Sequence, residues 1–169
     1  VRALQAYGGP VTVVQAGHSS AVNLADIDYR SVHRGMTVTS PGKFRATSLP
    51  IVRVELLAHV RPLESRSRVR FHLGTAELLG TITLLESRTL APGLTGLAQL
   101  ELDGEVVAHP GDRFVLRAEA PPLTLGGGRV LEACARRLRP GRDPVLEALR
   151  RAETTLSGPP DPASRLEAI

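Results

Sequence analysis

The sequence RVRFHLGTAELLG at Arg68–Gly80 decides the fold that we predict for this chain. Apolar and polar residues alternate through its first half, which is the period of a β-strand with one buried face. The members that would face a core are Val69, Phe71 and Leu73. The members on the opposite face form a basic row, which consists of Arg68, Arg70 and His72. Because Gly74-Thr75 interrupts the alternation before a second apolar run at Ala76–Leu85, the segment is interpreted as a bent strand or a hairpin.

The basic row has two interpretations. Charged residues on a strand are most often part of a solvated sheet face. Arginine also hydrogen-bonds phosphate oxygens and displaces condensed counterions, so the same row could be a phosphate-contacting surface. The chain carries a formal net charge of +4, and its basic residues are dense in two ranges, Lys43–Arg88 and Arg129–Arg151. This uneven charge favours a polyanionic partner.

Further alternating runs, separated by turn sequences, predict a closed all-β barrel over the middle of the chain. The other long strand candidates are Pro50–Val60, Leu94–Leu102, Arg113–Ala120 and Gly128–Leu131. Asp103-Gly104 is typical of a tight hairpin, and Pro110-Gly111-Asp112 of a turn in which the aspartate bonds nearby backbone. No helix follows Gly126-Gly127-Gly128 directly, so these glycines are interpreted as the place where a barrel strand bends or passes close to another backbone.

The two ends of the chain differ from this middle part. Residues 1–42 hold about four short strands, which is marginal for an independent core, so we expect a preceding portion to complete an incomplete first barrel. Arg139–Arg142 is typical of a linker, and Asp143-Pro144 offers a helix N-cap and a first-turn proline. Apolar residues recur at helical spacing from Val145, and Asp161-Pro162 would start a second helix. The predicted fold class is all-β with a short helical segment at the end.

Several kinds of chemistry are excluded by what the sequence lacks. Its single cysteine, Cys134, rules out an intramolecular disulfide, suits a reducing compartment and is interpreted as a buried structural thiol. There is no GxxxxGK[ST] sequence for nucleotide phosphates, and the five histidines are too scattered for a metal site. No uncharged run approaches the roughly 20 residues that span a bilayer. We therefore expect no catalytic residues and no metal ligands in this chain.

Three sequence blocks together resemble the β-barrel domains that follow the GTPase domain in translational GTPases. The blocks are Ala16–Met36, Arg68–Gly80 and the pattern PGDRFVLR…GGGRVL within Pro110–Leu131. The resemblance is strongest to the selenocysteine-specific elongation factor (SelB) family, which continues into winged helices, and weaker to elongation factor Tu, which ends at its barrel. It implies tandem barrels. Residues 1–42 would be the second half of domain II, residues 43–135 domain III, and residues 136–169 a linker with the first helices of a winged-helix domain.

The resemblance also implies where tRNA binds. Domain II of the family closes over the aminoacyl CCA end, and Tyr7 and Ser19 match positions that line this site in elongation factor Tu. Domain III holds the T-stem side, where Leu79 falls at a contact position. The predicted stem-binding residues are Arg68, Arg70, His72 and Pro121, the last at the Ala120-Pro121 corner. Such residues would recognise the shape and phosphates of an A-form stem, because its narrow major groove hides the base edges.

The same resemblance implies the partners of the whole factor. It would be a cytoplasmic GTPase that delivers selenocysteyl-tRNA to the ribosome and binds an mRNA hairpin through its winged helices. GTP and magnesium would bind a domain outside this chain, so the chain itself is expected to hold no cofactor and to meet no membrane. Two alternatives are kept: the barrels of another translational GTPase, and a protein-interaction β-barrel with no role in RNA binding. The cut edge of domain II would expose unpaired backbone groups, which favours a homodimer.

Overall fold

The computed structural model describes residues 1–134, 136–141, 147 and 149. The chain divides into two compact units, Val1–His33 and a second unit that begins at Arg34. The domain boundaries inferred from the resemblance, after residues 42 and 135, stay a prediction.

The first unit is a small antiparallel sheet. Its strands are β1 (Ala3–Ala6), β2 (Gly9–Val11) and β3 (Ala21–Asn23), in the order β2-β1-β3. A short 3-10 helix follows at Tyr29–Ser31, where the Asp28 side chain accepts a hydrogen bond from the Arg30 backbone N–H at 3.0 Å. None of residues 1–33 is buried. The unit therefore has a sheet but no core of its own.

The second unit is built around a closed barrel. Its strands in chain order are β4 (Ala46–Thr47), β5 (Leu49–Leu56), β6 (Leu63–Glu64), β7 (Ser67–Leu73), β8 (Ala76–Leu84), β9 (Thr89–Leu90), β10 (Thr95–Leu102), β11 (Val106–Val107), β12 (Arg113–Ala118) and β13 (Thr124–Cys134). Six of them close the barrel in the order β10-β5-β13-β12-β7-β8, and the others pair as β4-β11 and β6-β9. All neighbouring barrel strands run antiparallel. The predicted all-β barrel is confirmed.

The segment Arg68–Gly80 lies in a hairpin of β7 and β8. Leu73 pairs with Ala76 across the two-residue turn Gly74-Thr75, and Gly74 has a φ of +55° that favours glycine. The predicted inward residues are buried, and the Phe71 ring lies 5.1 Å from that of Phe114 between centroids. Alternation along β7 therefore places its basic residues on the outer surface of the barrel.

The glycines at the start of β13 allow three backbones to approach closely, as predicted. A Cβ atom on Gly127 would lie 2.6 Å from the Phe114 carbonyl oxygen of β12. Cβ atoms on Gly126 and Gly128 would overlap carbonyl oxygens of β5 on the other side. Glycine at these positions therefore lets β13 sit between β12 and β5, which closes the barrel.

Of the two predicted turns, one is confirmed and one is wrong. At Pro110-Gly111-Asp112 the aspartate carboxylate accepts a hydrogen bond from the His109 backbone N–H at 2.8 Å. The Asp103-Gly104 hairpin does not form, because β10 pairs with β5 and β8 while β11 pairs with β4. Both edges of β10 are already occupied in the closed barrel, so the chain after Gly104 must leave it.

The chain that follows the barrel is fixed to its outer surface by Gln99. This buried side chain donates from Nε2 to the Arg136 carbonyl at 2.9 Å and accepts from the Leu138 N–H at 2.8 Å. A second apolar cluster packs around this contact and consists of Ile51, Leu85, Leu97, Leu131, Leu138 and Leu149. The predicted helix from Asp161 lies outside the described residues. Of the predicted helix from Val145, the structure describes Glu147 and Leu149, and both are helical. The side chain of Cys134 also lies outside the described part of the chain.

Candidate nucleic-acid interface

One row of outward-facing side chains crosses four strands of the barrel. Arg70 of β7 lies opposite Leu79 of β8 on one side and opposite Arg117 of β12 on the other. Arg117 in turn lies opposite Thr124 of β13. Directly opposed residues of antiparallel strands have Cβ atoms roughly 4.5–5.5 Å apart. The pairing therefore places two arginines side by side on the surface.

Arg117 connects this row to the predicted corner. Its Nη2 atom donates to the Pro122 carbonyl oxygen at 2.7 Å, and the peptide bond between Ala120 and Pro121 is cis. The Nε atom of Arg117 is buried and has no hydrogen-bond partner among the described residues. Pro121 and Arg70 thus belong to one surface.

The carboxylate of Glu77 lies next to Arg70. It accepts a hydrogen bond from Arg70 Nη1 at 2.6 Å and lies 3.9 Å from His72 Nδ1. The hydrogen bond from Arg70 lowers the pKa of Glu77 below its ordinary value, and the charges of His72 and Arg34 act in the same direction. Arg34 is held nearby by a hydrogen bond from its Nε to the Thr75 carbonyl at 3.0 Å. Two guanidinium groups and one imidazole therefore accompany this carboxylate.

The other end of the predicted basic row has a different electrostatic character. Arg68 makes a bidentate ion pair with Asp103, with distances of 2.9 and 2.6 Å, and lies 3.9 Å from Glu119. The hydrogen bonds that Arg68 donates to Asp103 raise the pKa of Arg68, and those same bonds lower the pKa of Asp103. Two carboxylates thus surround one guanidinium. The row is not uniformly basic: Arg68 is outnumbered by carboxylates, whereas the pair of Arg70 with Glu77 has Arg34 and Arg117 as cationic neighbours.

The residues predicted for the aminoacyl end lie in the first unit. Tyr7 occupies the turn between β1 and β2 with a φ of +51° and is 83% exposed. Its hydroxyl lies 2.9 Å from His18 Nδ1, and the two rings meet edge to face. Ser19, the next residue after His18, is exposed. The structure thus brings Tyr7 close to the loop that carries Ser19.

Two residues of the surface were missed by sequence reasoning, Arg117 and Arg34. Alternation with the buried Phe114 and Leu116 could have placed Arg117 on the outer face of its strand. Nothing in the sequence says which residue of β7 it faces, because that depends on the register between strands far apart in the chain. Arg34 stands before a glycine in an irregular segment, where no periodicity predicts a direction.

Neither a cluster of metal ligands nor a membrane-spanning helix is present among the described residues. In the part of the chain that the structure describes, no group of three or more potential metal ligands comes together. Over the same residues, no helix is long and apolar enough to cross a membrane.

Comparison with known protein families gives a match over the barrel. Residues 50–137 match the family described as the β-barrel domain of selenocysteine-specific elongation factor. The match covers about half of the chain and contains every strand of the closed barrel except the first residue of β5.

Relatives of known description cover most of this chain. It is 32% identical over 142 residues to the selenocysteine-specific elongation factor of Desulfomicrobium baculatum, a match that covers 82% of this chain and 22% of that protein. It is 31% identical over 135 residues to the factor of the same name from Escherichia coli, covering 78% of this chain and 20% of that protein. Elongation factor Tu 2 of Streptomyces avermitilis is 29% identical over 135 residues, covering 77% of this chain and 34% of that protein.

A solved structure shows the same fold. The structure described as bacterial selenocysteine-specific elongation factor EF-Sec superimposes with a TM-score of 0.71 at 22% identity, covering 94% of this chain and 24% of that chain. The present chain thus spans about a fifth to a third of the length of the proteins that it matches.

Proposed function

Because this chain belongs to the selenocysteine-specific elongation factor family, of which it is a β-barrel region, we propose that its barrel binds the stem of selenocysteyl-tRNA. The observation that carries the proposal is the pairing of Arg70 with Arg117 on the outer face, next to the corner at Pro121. Guanidinium groups recognise phosphates through bidentate hydrogen bonds. A rigid sheet holds these two groups at a fixed separation, as recognition of a regular A-form backbone requires.

Binding of a phosphate at Arg70 requires breaking its ion pair with Glu77. A phosphate that approaches Arg70 must displace the Glu77 carboxylate, which now accepts the hydrogen bond from Nη1. Both side chains are partly exposed, and ion pairs of this kind contribute only about 0.2–1 kcal/mol. Release of counterions from RNA offsets a loss of that size. Glu77 therefore keeps Arg70 oriented in the absence of RNA and yields to a phosphate.

We expect the other predicted residues to contribute unequally. His72 lies next to Glu77 and so takes part in the same exchange of partners. Arg68 would have to leave a bidentate pair with Asp103 and a second carboxylate, so we expect it to contribute less than Arg70. Tyr7 and Ser19 are proposed to meet the aminoacyl CCA end, supported by the exposure of both and by the contact between Tyr7 and His18.

The test is the salt dependence of tRNA binding. Each phosphate contact adds about 0.7–0.9 to the slope of log K against log salt concentration, so Arg70→Ala/Arg117→Ala should reduce the slope by about 1.4–1.8. Arg113→Ala is the control, because it removes one positive charge from the same face of the strand that carries Arg117, four residues away. Twice its effect on the slope gives the non-specific contribution of removing two charges. Glu77→Gln should increase the affinity, since it removes the competitor for Arg70. Equal slopes for the parent and the double variant would refute the proposal.

The rest of the factor is proposed from the family. The whole protein would be a cytoplasmic GTPase that brings selenocysteyl-tRNA to the ribosome and contacts an mRNA hairpin through winged helices. GTP and magnesium would bind outside this chain, which would neither bind nor hydrolyse the nucleotide. The relatives that carry this support are named as elongation factors.

We also propose that the isolated chain self-associates through its first unit. The outer edges of β2 and β3 are not paired with any described strand, and large apolar side chains of this unit are exposed: Tyr7, Val13, Val22, Ile27, Tyr29 and Val32. Unpaired edges and exposed apolar groups favour strand pairing with a second copy. A mass that stays monomeric in light scattering as the concentration rises would argue against this dimer.

A further inference from the structure

A cleft of about 800 Å³ lies on the barrel, lined by both polar and apolar side chains. Its floor is the outer face of β8 and β10, and one wall is the chain that follows the barrel, around Leu138 and Pro140. The opposite wall is formed by two turns that precede β7 and β9. This volume is within the range of about 300–1,000 Å³ that is typical of ligand-binding clefts.

Two arginines stand on the wall formed by the turns. Arg66 precedes β7 and Arg88 precedes β9, and both are exposed. The turns are joined by a hydrogen bond of 2.8 Å from the Ser65 N–H to the Arg88 carbonyl, and by the pairing of Glu64 with Thr89. Arg66 is further fixed by a hydrogen bond of 2.6 Å from its N–H to the Ile82 carbonyl. Within the described residues, neither guanidinium group has an ion-pair partner.

The remaining charges of the cleft are nearly balanced. Glu101 is paired with Arg137 on the far side, so it does not compete for the two arginines on the turns. Glu64 is the other carboxylate of the lining. Among the described residues of the lining, three guanidinium groups and two carboxylates leave a net positive charge, located at Arg66 and Arg88.

Hydroxyl groups cover the surface between these arginines. Thr81 and Thr83 stand on the β8 floor, and Ser87 and Thr89 on the turn beside it. Hydroxyl groups and arginines are the side chains that contact phosphate and sugar oxygens in nucleic-acid complexes. The described residues of the lining include no aromatic side chain, so stacking of bases would not contribute. The cleft suits a sugar–phosphate backbone better than it suits bases.

The cleft is also aligned with the surface already described. Arg66 stands in the turn directly before β7, with a φ of +73°. Thr81, on the cleft floor, lies directly opposite Arg68. A backbone that follows β7 would pass from one site to the other.

We propose that this cleft is a second binding site for an RNA sugar–phosphate backbone, with Arg66 and Arg88 as its phosphate ligands. This second site is separate from the stem contact at Arg70 and Arg117. The inference rests on the proposed function only in that the ligand is RNA. The phosphates could belong to the tRNA stem that extends from Arg70 or to a separate single strand. An acidic protein segment is the competing occupant.

The experiment measures binding of three labelled probes by fluorescence anisotropy over a range of salt concentrations. The probes are a tRNA transcript, a short oligouridylate and a polyglutamate peptide. Arg66→Ala/Arg88→Ala should reduce the salt slope by about 1.4–1.8 for one of the two RNA probes, and that probe identifies the source of the phosphates. Arg66→Lys/Arg88→Lys should keep the slope and weaken binding, because lysine retains the charge without the bidentate geometry.

Arg113→Ala is the control for the loss of one positive charge, since Arg113 lies beside the end of β7 opposite to Arg66, and twice its effect is subtracted from that of the double variant. The Arg70→Ala/Arg117→Ala variant, measured in parallel, separates the two proposals. If only the Arg66/Arg88 variant changes the slope, the cleft stands and the stem contact falls, and the converse result removes the cleft. Unchanged slopes for both RNA probes in a variant with native circular dichroism would overturn the inference. Tighter binding of polyglutamate than of RNA, lost in the same variant, would also overturn it.

Discussion

Replacing Gln99 by leucine should release the chain that leaves the barrel. Gln99 is 5% exposed. Its side-chain amide makes two hydrogen bonds to this chain, as a donor to the Arg136 carbonyl and as an acceptor from the Leu138 N–H. Nε2 also lies 3.4 Å from the Leu49 carbonyl. Leucine has a similar size and no polar atoms, so the substitution removes the hydrogen bonds and leaves the local volume nearly unchanged.

The expected loss of stability follows from these bonds. The Leu138 N–H is buried and would lose its acceptor, which costs about 1–3 kcal/mol. Loss of the partly buried bond to Arg136 adds about 0.5–1.5 kcal/mol. Since the leucine side chain gains some apolar burial, we expect a net decrease of about 1–4 kcal/mol. An opening equilibrium changed by that amount corresponds to a factor of about 5 to 700, because each 1.4 kcal/mol is tenfold.

The assay is hydrogen exchange of the Leu138 amide, together with urea unfolding followed by far-UV circular dichroism. Tyrosine fluorescence would not report on the barrel, because both tyrosines, Tyr7 and Tyr29, lie in the first unit and the chain has no tryptophan. Glu101→Gln is the control, since it breaks the neighbouring surface pair with Arg137 and should change stability by less than about 1 kcal/mol. If the Leu138 amide of Gln99→Leu exchanges at the parent rate, the apolar cluster alone fixes this chain and the reasoning is wrong.

Two further predictions concern the barrel and its charges. Gly127→Ala should destabilise the barrel by about 1–3 kcal/mol in urea unfolding, because the new Cβ atom would press against the Phe114 carbonyl. Gly9→Ala serves as the control, since its Cβ atom would meet nothing within 4 Å. Equal unfolding midpoints for the two variants would contradict this account. The lowered pKa of Glu77 contributes stability that is fully present above its ordinary value of 4.5 and is lost as the pH falls through the lowered pKa. In acid titrations, Glu77→Gln should therefore show a smaller loss of stability below pH 4.5 than the parent, whereas an identical profile would exclude an energetic role for the contact with Arg70.

The sequence by itself determined which face of β7 is buried and where one of the two predicted turns lies. Alternation along Arg68–Leu73 identified the buried side chains, since the period of two is a property of the strand alone. The Pro110-Gly111-Asp112 turn and the close approach at Gly126–Gly128 could be predicted for the same reason, because each depends on what one residue type permits. The three sequence blocks that resemble translation factors were sufficient to indicate the family.

Only the tertiary structure decided the charge of the candidate site. Asp103 is 35 residues from Arg68 in the chain, yet it neutralises that arginine, and Arg117 joins Arg70 from another strand. The same closure overrode the hairpin signal at Asp103-Gly104, because both edges of β10 were already paired. Side-chain direction is set within a strand, whereas the partners of a charged group depend on the register between strands that are distant in sequence.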